Sequence, residues 1–223
     1  EQAVQVICER SAAQATTKGS GRMAAVGLSG ERIAEVLLET GLNKSVARAA
    51  INSPNAVTVS GSLKTLEKLG ASLESQGVFF RLLDLDYAFH SRAMDPIQAT
   101  LLKHLADLTP RAGKGLFVST VSGALMSGKK LDATYWWNNI RQPVLFNQAI
   151  DTLAGLGCRV FVEIGPHAIL QRYVKDSLSK LNVTGRVLST LRKNDDGLDR
   201  LSETAWRACL IGVPFNLGQH FGQ

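Results

Sequence analysis

Between residues 22 and 86 the apolar residues switch repeatedly between strand and helix spacing, and this restricts the available folds more than any other feature. "MAAVGLS" (23–29) reads as a strand. "ERIAEVLLETG" (31–41) reads as a helix with Ile33, Val36 and Leu37 on one face and Gly41 as its stop. "VARAAI" (46–51) and "AVTVSG" (56–61) are short strands joined by the turn "NSPN". "LKTLEKLGASLESQG" (63–77) is a second helix, with Leu63, Leu66, Leu69 and Leu73 along one face, and "VFFRLLDL" (78–85) is a further strand. Strand-helix-strand-strand-helix-strand is the order of a ferredoxin-like α+β unit. Its ends, near residues 22 and 86, would lie close enough for insertion into another fold.

The flanking sequence has a different texture. "EQAVQVICERSAAQA" (1–15) is helical, and Val4, Ile7, Cys8 and Ala12 share the face expected to meet a core. Arg10 lies roughly 120° from the centre of that stripe. "TTKGSGR" (16–22) is a polar joint. After residue 90, "IQATLLKHLADLTP" (97–110), "FNQAIDTLAGLG" (146–157) and "HAILQRYVKDSLSKL" (167–181) read as helices. "GLFVSTVSG" (115–123) and "CRVFVEIG" (158–165) read as buried strands of the parallel type, with "GRVLSTL" (185–191) a late strand. This is alternating α/β architecture.

With 45% hydrophobic and 20% charged residues, the 223-residue chain has the balance of a soluble globular protein. No window approaches the roughly 18 apolar residues of a membrane span, and the N-terminal stretch lacks a signal layout. A cytoplasmic location is expected. The three cysteines, Cys8, Cys158 and Cys209, are far apart and without CxxC spacing, which argues against a disulfide framework or a zinc site. Cys8 and Cys209 fall in apolar helical patterns, where buried inert thiols are expected. The net charge of +6 is spread along the chain and suits an anionic ligand, an acidic partner or an ordinary solvated surface.

Two short stretches invite a chemical reading. "GLSGE" (27–31) looks like a nucleophile elbow, but the elbow requires Gly-x-Ser-x-Gly and Gly30 comes one position too early. Ser29 is better read as a helix N-cap, with Glu31 favourable at the positive helix end. "DLDYAFHSRAMDP" (84–96) sets His90 between aromatic residues and a Ser-Arg step. A general base needs a nucleophile within hydrogen-bond reach and a third group to fix its tautomer. Local sequence settles neither. His104 and His220 read as ordinary core or surface histidines, and pattern alone leaves Arg10 a solvated residue. "EIGPHAIL" (163–170) turns from a strand into a helix, the usual place for sites in α/β sheets.

Taken in order, "ERSAAQA" (9–15), "GRMAAVGLS" (21–29), "NSPNAVTVSG" (52–61), "YAFHSRAMDPI" (87–97), "STVSG" (119–123), "YWWNNIRQPVLF" (135–146), "VEIGPHAIL" (162–170) and "VLSTLRK" (187–193) carry a resemblance across nearly the whole chain. The chain resembles the acyltransferase domain of modular type I polyketide synthases and, more distantly, malonyl-CoA:acyl carrier protein transacylases. The resemblance implies an α/β fold: an α/β-hydrolase-like subdomain, partial here (1–19 and 87–194), with an inserted ferredoxin-like subdomain (20–86) and a post-acyltransferase linker (195–223). It implies ping-pong transfer of a malonyl-type unit from coenzyme A, through a serine ester, to the phosphopantetheine thiol of an acyl carrier protein. No cofactor would be bound; acyl-coenzyme A is substrate, and neighbouring domains such as ketosynthase are partners. His90 matches the family's general base, and Asn139 is expected to supply the backbone carbonyl that orients it. Arg10 matches the arginine that grips the extender carboxylate, a task suited to a planar guanidinium. Tyr87 and Phe89 belong to the specificity box, which reads HAFH in malonyl-selective and YASH in methylmalonyl-selective relatives. The hybrid "YAFH" is read as favouring malonyl-CoA over methylmalonyl-CoA, through Phe89.

The resemblance has one departure. The family's Gly-His-Ser-x-Gly elbow lies upstream of the segment matched by residues 1–15, and no Gly-x-Ser-x-Gly occurs in this sequence. The chain is therefore expected to be inactive alone. On this resemblance it is expected to be a C-terminal piece of a cleaved or split domain, the partner of a complementary N-terminal acyltransferase segment, or an inactive remnant. An acyl hydrolase editing stalled acyl groups would share the dyad, and a scaffold remnant would need neither. An RNA-binding module is set aside, because Phe79 and Phe80 are adjacent and point to opposite faces while "MAAVG" and "AVTVSG" carry no aromatic residue. No nucleic acid or membrane partner is expected.

Overall fold

A computed structural model describes residues 1–194 and 197–213. The chain divides into two compact units, Glu1–Thr152 and Leu153–Gln223.

The first unit opens with helix α1 (Gln2–Ala15) and continues through β1 (Arg22–Val26), α2 (Gly30–Glu39), β2 (Val46–Ser53), β3 (Ala56–Gly61), α3 (Leu63–Glu74) and β4 (Phe80–Leu82). The four strands form one sheet in the order β2-β3-β1-β4, antiparallel at every pairing. Strand alternation turns Ala24, Val26, Val57 and Val59 to one face, where Ile33, Val36 and Leu37 of α2 and Leu66, Leu69 and Leu73 of α3 complete a core. Both helices start on serine caps. Ser29 Oγ accepts from Arg32 N at 3.2 Å and Ser62 Oγ from Thr65 N at 3.2 Å. Ser29 is thus a cap, as its spacing indicated. The expected strand over 78–85 shrinks to Phe80–Leu82, and Phe79 stays exposed.

A second core in the same unit gathers Val6, Met94, Ile97, Leu101, Leu105, Trp137 and Ile140. These come from α1, a 3₁₀ turn (Arg92–Ile97), α4 (Gln98–His104) and α5 (Ala133–Arg141). Helix α5 starts on Asp132, whose Oδ1 accepts from Tyr135 N at 2.8 Å. On α1, Val6 points into this core, Gln2 Nε2 donates to Thr109 Oγ1 at 2.7 Å, Gln5 Nε2 donates to the His104 carbonyl at 3.0 Å, and Glu9 pairs with His104 at 2.6 Å. The apolar stripe read from the sequence lies on the other side: Val4 is 65% and Ile7 58% exposed, and Cys8 and Ala12 are exposed. This corrects the expected burial of that face and of Cys8, because the polar contacts above turn α1 the other way.

Residues 115–123 also depart from expectation. Rather than a buried parallel strand, they hold β5 (Val118–Ser119), paired antiparallel with β6 (Ala124–Leu125) across a turn with Gly123 at φ +68°. Only a short apolar run is available there, it is broken by Ser119, Thr120 and Ser122, and Leu116 is exposed. Past α5 the backbone of Val144 is clamped to β2: Ile51 N donates to the Val144 carbonyl at 2.8 Å and Val144 N to the Ala49 carbonyl at 2.9 Å.

Helix α6 (Phe146–Gly155) crosses the division between the units. In the second unit β7 (Val160–Glu163) runs parallel to β8 (Arg186–Ser189), with α7 (Gln171–Lys180) between them in sequence. The parallel pairing agrees with the sequence pattern, but full burial does not follow: Val162 is 45% and Ile164 86% exposed. Helix α8 (Leu198–Leu210) meets β8 through Thr204 Oγ1, which donates to the Ser189 carbonyl at 2.8 Å. Cys158 and Cys209 are half-buried, and His220 lies outside the described residues. Among the described residues no helix is long and apolar enough to cross a membrane.

Candidate active site

His90 sits on the loop between β4 and the 3₁₀ turn with φ at +57°, a left-handed conformation that is uncommon for a residue with a side chain. Its neighbours hold that geometry. Ser91 Oγ donates to the Ala88 carbonyl at 2.6 Å and accepts from Ala93 N at 3.1 Å, while His90 N donates to the Ile140 carbonyl at 3.2 Å. Left-handed backbone at a non-glycine residue costs on the order of 1–3 kcal/mol, and this loop bears that cost through contacts at both ends.

The imidazole is oriented by a main-chain carbonyl. His90 Nδ1 lies 2.8 Å from the Gln142 oxygen. A carbonyl only accepts, so Nδ1 carries the hydrogen and Nε2 holds the free lone pair. Sequence places this carbonyl where it is. Pro143 disfavours helical backbone at the residue before it, so α5 stops at Arg141 and Gln142 is extended, with φ −82° and ψ 157°. Its carbonyl thereby leaves the helical path, and the clamp of Val144 on β2 fixes the segment just beyond. The expectation that Asn139 supplies this carbonyl is corrected. Asn139 lies within the last turn of α5, where carbonyls follow the helix axis.

Asn139 enters the site through its side chain. Its Oδ1 accepts a hydrogen bond from Arg10 NH1 at 2.9 Å, joining α5 to α1 across 129 residues of sequence. Arg10 is half-buried, and among the described residues no carboxylate pairs with it. Burial lowers its pKa from the ordinary arginine value, with the nearby Tyr135 acting in the opposite sense. His90 is likewise held below the usual histidine value: burial is the main cause, the bond to Gln142 opposes it, and the Arg10 charge adds to it. The imidazole is therefore neutral at neutral pH, the form that can accept a proton.

Tyr87 and Phe89 stack with ring centroids 4.8 Å apart and planes 10° from parallel, and Phe89 packs against the second core. His90, Arg10, Asn139, Tyr87 and Phe89 all fall in the first unit, on α1, the His90 loop and α5. Gln142 is the residue that sequence reasoning missed; the Gln-Pro step ending a helical pattern was the available signal. Among the described residues the His90 ring has no hydrogen bond to a serine, threonine or cysteine. The constellation can hold a base in one tautomer beside a cation with an unfilled demand for an anion.

The acyl transferase domain family matches residues 1–214. Polyketide synthase GfsE of Streptomyces halstedii is 36% identical over 200 residues, which are 90% of this chain and 5% of that protein. The acyltransferase domain from module 8 of the salinomycin polyketide synthase superposes with a TM-score of 0.91 at 32% identity, over 96% of this chain and 50% of that one. A malonyl CoA-acyl carrier protein transacylase from Clostridium perfringens gives a TM-score of 0.78 at 25% identity, over 95% of this chain and 66% of that one. The chain belongs to the acyl transferase domain family, in the form found in modular polyketide synthases. It spans about half the length of the salinomycin chain it matches.

Proposed function

We propose that this chain supplies the base and the carboxylate clamp of an acyltransferase that moves a malonyl-type unit from coenzyme A to the phosphopantetheine thiol of an acyl carrier protein. The nucleophilic serine belongs to a segment outside this sequence. His90 Nε2 takes the serine proton as the serine oxygen attacks the thioester carbonyl. The imidazolium, steadied by the Gln142 carbonyl, returns that proton to the departing coenzyme A thiolate. In the second half the carrier thiol gives its proton to the same nitrogen and attacks the serine ester, and the imidazolium returns that proton to the departing serine oxygen. Arg10, held by Asn139, takes the free carboxylate of the malonyl group, and the Tyr87–Phe89 stack borders the α-carbon.

The observation that carries this reading is the 2.8 Å bond from His90 Nδ1 to a main-chain carbonyl. It leaves Nε2 free for proton transfer without any acidic residue. Arg10, which has no carboxylate partner among the described residues, favours a carboxylated acyl group over the neutral one an editing hydrolase would meet. In the same reading, residues 20–86 are the inserted ferredoxin-like subdomain, supported by the β2-β3-β1-β4 antiparallel order. Residues 1–19 and 87–194 belong to an α/β-hydrolase-like subdomain, 195–223 are the following linker, and the protein is cytoplasmic.

The test uses a completed domain: this chain joined to the part of the salinomycin module 8 acyltransferase domain that it does not match. His90→Ala there should slow malonyl transfer roughly 10²–10⁴-fold with thermal unfolding little changed. Rates agreeing within about threefold would make His90 structural.

A further inference from the structure

A cavity of about 340 Å³ lies beside the His90 loop, bordered by the start of β2, the end of β3 and the last turn of α5. That volume is at the lower end of the roughly 300–1,000 Å³ of small-molecule sites. Lys44, Arg92 and Arg141 line it, and among the described residues no Asp or Glu does. Lys44 and Arg92 are exposed, and neither has an ion pair or a side-chain hydrogen bond among the described residues. Arg141 pairs with Asp95 through Nε, and its two terminal nitrogens make no further hydrogen bond among the described residues. Three cations thus line one cavity, with one carboxylate just outside its lining. Two neutral groups add to the same preference. Ser62 lines the cavity as the cap of α3, so the positive end of that 12-residue helix lies at its rim. Ser60 lines it too and is fully buried, and its hydroxyl has no hydrogen-bond partner. Buried hydroxyls are nearly always paired, and one left without a protein partner calls for water or a ligand.

We propose that this cavity binds the phosphate groups of a small molecule, at a site separate from the candidate active site. His90, Arg10 and Asn139 are not among its lining residues, so the proposal does not depend on the acyl-transfer reading. Phosphate suits the cavity better than a carboxylate for two reasons. Three cations ask for more than a single negative charge. Guanidinium forks, an ammonium and hydroxyls around a helix start also supply donors from several directions, as a tetrahedral oxyanion requires. Seated there, the anion would tie Arg92 of the His90 loop to Lys44 before β2 and to Arg141 at the end of α5. Two sources share this chemistry: free phosphate or pyrophosphate, and the phosphates of coenzyme A.

Titration calorimetry on the full chain tests this with pyrophosphate, inorganic phosphate and coenzyme A as probes, at physiological ionic strength so that diffuse surface attraction is screened. Pyrophosphate should bind with a Kd below about 1 mM. Lys44→Ala and Arg92→Ala should each weaken it about tenfold, the scale of one hydrogen bond to a charged group. Both positions are exposed, so thermal unfolding without ligand should stay the same. Lys103→Ala, at an exposed lysine outside the cavity, should leave the affinity unchanged. Coenzyme A losing affinity in the same two variants would make the coenzyme the source of the phosphates. Pyrophosphate losing affinity while coenzyme A does not would make the source free phosphate. Pyrophosphate binding no tighter than about 1 mM overturns the proposal. So does an affinity unmoved by Lys44→Ala and Arg92→Ala, or an equal loss in Lys103→Ala, which would reduce the effect to net charge.

Discussion

Replacing Arg10 by alanine in the completed domain should change which acyl groups are accepted more than it changes the overall rate. The guanidinium is half-buried, donates to Asn139 Oδ1 at 2.9 Å and has no carboxylate partner among the described residues. Burial already disfavours its charge, so an arriving carboxylate meets a cation with capacity to spare. Removing one member of a fully buried ion pair costs about 3–5 kcal/mol, and partial exposure brings the figure here to roughly 2–3 kcal/mol. At about 1.4 kcal/mol per tenfold, malonyl transfer should fall roughly 30–150-fold. Acetyl transfer, with no carboxylate to hold, should stay within about threefold or improve. The assay is the transfer rate from malonyl-CoA and acetyl-CoA to one carrier protein, with thermal unfolding as a control on the fold. Equal losses for both donors would show that Arg10 only fastens α1 to α5.

Three further outcomes follow from the same geometry. His90 must be neutral to act and is held below the usual histidine value by burial, so kcat/KM should rise with pH along a limb whose midpoint lies below the ordinary histidine value of about 6.5; Arg10→Ala removes a nearby positive charge and should move that limb to higher pH, and an unmoved limb would remove Arg10 from the surroundings of His90. Gln142 acts through its main chain, so Gln142→Ala should leave transfer within about threefold, and a hundredfold loss would mean that the side chain is needed. Phe89→Ser should raise methylmalonyl over malonyl transfer within the roughly 10–200-fold range open to one methyl contact; because Phe89 also packs on the second core, the ratio from a competition assay is the readout, and a wild type already preferring methylmalonyl would give the choice to Tyr87.

The sequence was most legible where both sides of a contact lie within this chain. Ile33, Val36 and Leu37 of α2 and Leu66, Leu69 and Leu73 of α3 meet strands a few dozen residues away, and their spacing located the core directly. Helix α1 has the same kind of stripe, but the polar contacts of Gln2, Gln5 and Glu9 face it outwards. Periodicity reports that a face is apolar and is silent on what covers it. Helix α5 was missed because "YWWNN" has weak helix propensity, and only the Asp132 cap pointed to it. At the candidate site, the roles of His90 and Arg10 are read from the resemblance alone, whereas the carbonyl partner was placed three residues early. That error came from reading a side-chain motif for a main-chain role; Pro143 decides where the helix releases a carbonyl.

Which residue carries the acyl group is the central question, and intact-mass measurement after incubation with malonyl-CoA reads this directly. The chain alone should gain no malonyl adduct, while the completed domain should gain one, on the added elbow serine, and should lose most of that rate with His90→Ala. A stable ester on any serine of this chain, Ser29 included, would contradict it.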